Sequence, residues 1–270
     1  MTNEKFPVLL NSDIIKNRFN EVLGKKAASF ISALLSVYNS SSALQSCDAR
    51  SILGAAGLAA TLDLSITPSL GQAYIVPYKG RASFQIGYRG LIQLAHRTGK
   101  YVALHTGKVY EGELRGFNPI TGEPERGEKI SDEVVGYVAY MKLVNGFEKT
   151  IFMTKSEIEE HAATYSQGYR YDKRSGRSSS PWSTNFDAMA CKTVLKRLLN
   201  TWGVLSADMA SALQGDQSVA DKNTFTYVDS DGHVQNRDEI YVSDDTDAAV
   251  DINTGEVKAE LVDETNAQQF

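Results

Sequence analysis

Between Asp63 and Glu111 the chain runs for 47 residues without a carboxylate, and six cations stand in that window: Lys79, Arg81, Arg89, Arg97, Lys100 and Lys108. Uncompensated positive charge at this density attracts a polyanion, and phosphate neutralisation is the main source of affinity for nucleic acid. Tyr74, Tyr78, Phe84, Tyr88 and Tyr101 are interleaved with the cations, beside the amides Gln72, Gln85 and Gln93. Aromatics among cations are what single-strand binders use, since bases stack on rings while Lys and Arg follow the backbone. Strand alternation puts Tyr74, Val76 and Tyr78 on one face, where packing claims most of them. Tyr88 and Gln85 are the candidates left to meet bases.

A second basic stretch holds Arg170, Lys173, Arg174, Arg177, Lys192, Lys196 and Arg197 against only Asp172 and Asp187, with Trp182 as its aromatic candidate. At about 100° per residue, Cys191, Val194, Leu195, Leu198, Leu199 and Trp202 fall within one apolar arc, and Lys192 and Lys196 lie together outside it. The expectation is core on one side and a phosphate-binding face on the other. Charge reversal at the two lysines should then abolish binding and leave the fold intact.

Enzyme motifs are weak by comparison. Thr98-Gly99-Lys100 ends like a phosphate-binding loop, but Leu94 stands where its first glycine should be and Tyr101 replaces Ser or Thr. Gly54 and Gly57 make a GxxG better explained by close helix packing. Glu157, Glu159, Glu160 and His161 do not share a helix face, and Asp229 to Gly232 has too few acids for a calcium loop. His96 and His105 have no Ser or Cys partner, and Cys47 and Cys191 lack any metal-site or disulfide spacing. No cofactor or metal is expected. Two other readings stay open: a magnesium-dependent DNA-processing nuclease using acids of the 111–133 loop or the Glu157 helix, and an interaction protein acting through an acidic tail.

The net charge of −5 conceals a division. Residues 205–270 carry fifteen acids and three bases, whereas the preceding part carries 25 bases and 18 acids. A basic body of +7 is followed by a tail of −12. The expected organisation is a core over 1–214 and an acidic, flexible region over 215–270. No apolar run reaches membrane-spanning length and the first residues lack a signal-peptide pattern, so a cytoplasmic location and no membrane partner are expected.

The elements that must position these residues can be read from period and punctuation. Apolar spacing gives helix over 12–38 with a break at Gly24, and a second helix over 48–62. Gln72–Tyr78 and Ala82–Gly87 read as strands joined by a turn at Lys79, Gly80 and Arg81. A short helix over 91–98 and a strand over 101–110 follow, then a loop over 112–128. Val134–Val144 and Phe147–Met153 flank Asn145-Gly146, a strong hairpin signal. Thr154 caps a helix to Tyr165, 166–180 reads as a mobile basic loop, and Pro181 opens a helix over 182–204. The fold class is α+β, with antiparallel hairpins packed against helices.

Leu70-Gly71-Gln72-Ala73-Tyr74-Ile75-Val76-Pro77-Tyr78 and Phe84-Gln85-Ile86-Gly87-Tyr88-Arg89-Gly90-Leu91-Ile92-Gln93-Leu94-Ala95 closely resemble the signature of the RecT family of phage single-strand annealing proteins. Ala188 to Arg197 resembles its second motif, and the likeness covers about residues 12–214. The resemblance implies a core that oligomerises into rings or helical filaments and holds single-stranded DNA, and the annealed duplex intermediate, in a basic groove. It also implies annealing without ATP, beside a phage exonuclease and a host single-strand-binding protein.

Overall fold

The computed structural model describes residues 6–118, 120–204 and 206–216, together with the backbone of 218–221, 224–227, 249–250 and 257–258. Two compact units divide the chain, Met1–Val234 and Gln235–Phe270. In the second, β10 (Ala249–Val250) pairs with β11 (Val257–Lys258). The expected acidic tail and the Asp229 turn lie mostly outside the described residues.

The first unit opens with helices α1 (Phe6–Leu10), α2 (Asp13–Leu23), α3 (Ala27–Ser40), α4 (Ser42–Gln45) and α5 (Ala49–Thr61). The break between α2 and α3 falls at Gly24, whose φ of 53° an L side chain resists. Phe19 of α2 then meets Phe30 of α3 with ring centroids 5.5 Å apart. The Asp48 carboxylate caps α5 by accepting from Ser51 N at 3.0 Å. Buried Ala55, Ala56, Ala59 and Ala60 present a small-residue face, so α5 lies close on the strands that follow.

Those strands, β1 (Ala73–Tyr78) and β2 (Arg81–Ile86), form an antiparallel hairpin in register from Ala73↔Ile86 to Tyr78↔Arg81. Lys79 and Gly80 make its turn with φ of 45° and 77°, matching a two-residue loop whose central residues are both left-handed. The sheet continues through β8 (Ser218–Asp221) and β9 (Thr224–Tyr227). A second antiparallel sheet has the order β3 (Tyr101–Tyr110), β6 (Val134–Leu143), β7 (Glu148–Thr154), with Asn145-Gly146 at its turn.

Helix α6 (Tyr88–Arg97) precedes β3, and the expected 112–128 loop contains a small hairpin, β4 (Leu114–Phe117) with β5 (Pro124–Arg126). Helix α7 (Lys155–Tyr165) starts in a capping box: Thr154 Oγ1 accepts from Glu157 N at 3.2 Å and Glu157 Oε2 accepts from Thr154 N at 2.7 Å. Next come α8 (Gln167–Ser175), α9 (Pro181–Thr184), α10 (Phe186–Trp202) and α11 (Ala207–Gly215). The single helix expected over 182–204 is interrupted at Asn185, where φ −147° and ψ 58° leave helical geometry. Helix α10 lies across β3, β6 and β7 on one side and against α6 on another, which places it between the two halves of the core.

Candidate nucleic-acid interface

The first signature motif is explained by a close backbone crossing. A Cβ on Gly87 would stand 2.1 Å from Gly71 O, and one on Gly90 would stand 2.2 Å from Gln72 O, so neither position has room for a side chain. Gly87 N donates to Gln72 O at 2.8 Å, and Gln72 Oε1 accepts from Ser65 N at 2.9 Å. This crossing lets α6 begin at Tyr88, three residues before the start its apolar period suggests. It leaves Arg89 projecting into solvent with its guanidinium 5.9 Å from the Tyr88 ring centroid. Exposed Tyr74 lies against Gly71 and Gly87. Gln85, opposite Tyr74 across the hairpin, is half-buried.

The hairpin tip is fixed from two directions. Gly80 O accepts from Asp48 N at 2.8 Å, and Tyr78 Oη donates to Gln167 Oε1 at 2.6 Å. The second bond joins the first basic stretch to the second across 89 residues of sequence. Lys79 is exposed at that tip and Arg81 is half-buried.

The mobile loop expected over 166–180 is instead folded around one carboxylate. Ser166 Oγ caps α8 by accepting from Tyr169 N at 3.2 Å, and Gly176 ends the helix with φ 67°. Asp172, 2% exposed, accepts from Ser179 Oγ at 2.6 Å, Ser180 N at 2.7 Å, Ser183 Oγ at 2.7 Å and Ser179 N at 3.0 Å. The Ser179 hydroxyl, then the Ser180 amide and the Ser183 hydroxyl, hold this carboxyl far below the ordinary carboxylate range. With the acid turned inward, Lys173, Arg174 and Arg177 are exposed around it and Arg170 is half-buried. The signals for α8 were present: a serine N-cap, two basic residues in the last turn and a glycine just beyond.

The remaining sequence candidates divide. Lys100 and Arg197 are exposed, the latter with Nη1 3.8 Å from Met153 Sδ. Arg97 is fastened to the end of α5, donating to Leu62 O at 2.6 Å and Asp63 O at 2.5 Å. Lys108 pairs with Asp187 at 2.5 Å, and Asp187 also accepts from Tyr137 Oη at 2.6 Å. Trp182 is 5% exposed and packs among Phe186, His161 and Tyr169.

Lys192 and Lys196 do not form the outward face expected of them. Lys192 is 6% exposed and donates to Asp216 Oδ1 at 2.9 Å; Lys196 donates to Asp216 Oδ2 at 2.8 Å. Asp216 is fully buried, and its Oδ1 also accepts from Ile86 N at 3.0 Å. Burial pushes this carboxyl up, but the two lysines outweigh it and hold it below its ordinary value. Helical periodicity identifies an apolar arc correctly, yet α10 is covered on a second side by α6, and α11 brings in the carboxylate. Asp216 was missed because a lone acid at the start of an acidic tail has no local signal.

A model of the RecT family matches residues 28–229. The chain belongs to the RecT family. That family is one of DNA recombination and single-strand annealing proteins. Two curated relatives are similar to it. An uncharacterised protein, YqaK of Bacillus subtilis (strain 168), is 46% identical over 207 residues, covering 76% of this chain and 69% of that protein. Protein RecT of Escherichia coli (strain K12) is 31% identical over 169 residues, covering 58% of this chain and 59% of that protein. In this RecT-family chain the first motif is the glycine crossing beneath Arg89, and the second is the α10 segment that grips Asp216.

Proposed function

We propose that this protein binds single-stranded DNA and anneals complementary strands without nucleotide hydrolysis, acting as a homo-oligomer in phage-type recombination. The observation that carries this reading is the Tyr78–Gln167 bond, because it brings the hairpin tip beside α8 and so supports reading the two basic stretches as one DNA-binding surface. Lys79, Arg89, Lys173, Arg174 and Arg177 are the residues assigned to phosphates, with Lys100 and Arg197 as further cations. Lys192 and Lys196 act indirectly, by holding the frame. A protein that grips phosphates and leaves base edges free lets a second strand test pairing. Base pairing then supplies the energy, at roughly 1.4 kcal/mol per stacked step. A phage exonuclease and a host single-strand-binding protein are the proposed partners, and the cytoplasm the proposed compartment. No helix among the described residues is long and apolar enough to cross a membrane.

The nuclease reading loses its best residue, since Glu157 closes the capping box and its carboxyl is held low first by the Thr154 amide. The deciding assay mixes the purified protein, without ATP, with two labelled complementary oligonucleotides across a salt series. Accelerated duplex formation with a log-log salt slope near −0.7 per neutralised phosphate is the expected result. Shortened product would establish the nuclease instead, and absence of any DNA binding would turn attention to the acidic tail.

A further inference from the structure

The far end of α10 carries a group that neither basic stretch includes. Trp202, the last residue of the helix, is 45% exposed, and Phe147 from the start of the β7 segment is 39% exposed. Their ring centroids lie 6.1 Å apart with planes inclined by 30°. Lys149, two residues along from Phe147, places Nζ 5.1 Å from the Trp202 ring centroid. Trp202 is held where it is: Gly203 N donates to Leu199 O at 3.0 Å and Val204 N donates to Tyr101 Oη at 2.7 Å. Val144 N donates to Lys100 O at 3.0 Å, which brings the Lys100 backbone to the rim of the same patch. Neither Lys149 nor Lys100 forms an ion pair among the described residues. The neighbouring acid, Glu148, is engaged by Tyr140 Oη at 2.6 Å and by Lys142.

Two exposed rings set at a shallow angle, with a cation over one of them and the adjacent Glu148 engaged elsewhere, make a surface suited to an unpaired base and its phosphate. We propose that Phe147, Trp202 and Lys149 form a base-stacking platform for single-stranded DNA, with Lys100 as a second phosphate contact. This inference rests on the single-strand binding proposed above. The platform is a separate contact region: α10 starts at Phe186, beside Trp182 and thus near α8, and its 17 residues carry the chain about 24 Å to Trp202. A strand engaged at both ends of α10 is held by phosphates at one and by a stacked base at the other.

The chain has two tryptophans, and Trp182 is buried away from direct contact with a base, so quenching of emission by a bound strand that is lost on replacing Trp202 reports on this site. The test titrates the full-length protein with oligothymidine and follows tryptophan emission, while anisotropy of an end-labelled oligonucleotide measures binding independently. The expected result is quenching that disappears in Trp202→Phe, with roughly ten-fold weaker binding in Trp202→Ala. Lys149→Ala, which leaves both rings in place, should weaken binding and make the log-log salt slope shallower by about 0.7. If the labelled strand binds, emission is unchanged and Trp202→Ala binds normally, the platform is refuted while the annealing reading stands. A smaller sedimenting species in Trp202→Ala with unaltered quenching would refute it in favour of a contact between copies of this chain. Failure of every variant and of the native protein to bind the strand would remove the annealing reading itself.

Discussion

Helices α8 and α10 each place cations around a buried aspartate, and the fold uses the two acids in opposite ways. Asp172 is satisfied by serine hydroxyls and backbone amides, so Lys173, Arg174 and Arg177 stay exposed around it without being drawn into its pairing. Asp216 is satisfied by Lys192 and Lys196, which consumes the two cations that helical periodicity had turned outward. What satisfies a buried carboxylate therefore decides how much positive charge a surface retains. Neutral donors leave the neighbouring cations available, whereas ammonium donors withdraw them.

The comparison can be broken most forcefully at Asp216. Removing one partner of a buried pair leaves the other charge uncompensated, at a cost of about 3–5 kcal/mol, a large share of the stability of a typical domain. Asp216→Ala or Lys192→Glu should unfold the protein or sharply lower its denaturation midpoint in urea. The uncharged pair Lys192→Met with Asp216→Asn should recover most of that loss, because the amide oxygen can still accept from Ile86 N. A native midpoint in Lys192→Glu would return that lysine to the surface and to DNA.

At α8 the expected effect is on binding and not on folding. Lys173→Gln, Arg174→Gln and Arg177→Gln together should leave the urea midpoint unchanged while suppressing annealing. The log-log salt slope should become shallower by about 2, from 0.7 for each of three single-strand phosphate contacts. An unchanged slope would remove α8 from the interface.

The smallest expected effect is the acid sensitivity that both carboxylates confer. Each is held below its ordinary value in the folded protein, so its stabilisation is complete above the unfolded pKa near 3.9 and is lost as pH falls through the folded value. Urea midpoints should be flat from pH 7 to about pH 5 and decline below pH 4. Asp172→Asn should reduce the decline, and protease cleavage within 173–180 should then rise at neutral pH without global unfolding.

Local order was largely legible because it is set by neighbours in the chain. The Gly24 break, the Lys79-Gly80 and Asn145-Gly146 turns and the Thr154 cap all follow from backbone chemistry within a few residues. The α8 segment was misread for want of an apolar period, although Ser166 and Gly176 bracket it as a helix. Its stability comes from a carboxylate-to-serine network that hydropathy does not register.

The sequence by itself determined the α+β class, the hairpins, the concentration of cations in two stretches and, through the glycine-rich motif, the family. Which of those cations stay exposed and which are buried in ion pairs was decided only by tertiary structure. An amphipathic period separates apolar from polar positions on a helix, but it does not know that α10 lies between two halves of a core. Nor does it show that a carboxylate 20 to 24 residues further along will fold back onto its lysines. Availability of charge depends on long-range pairing and burial, and these exist only once the chain has closed on itself.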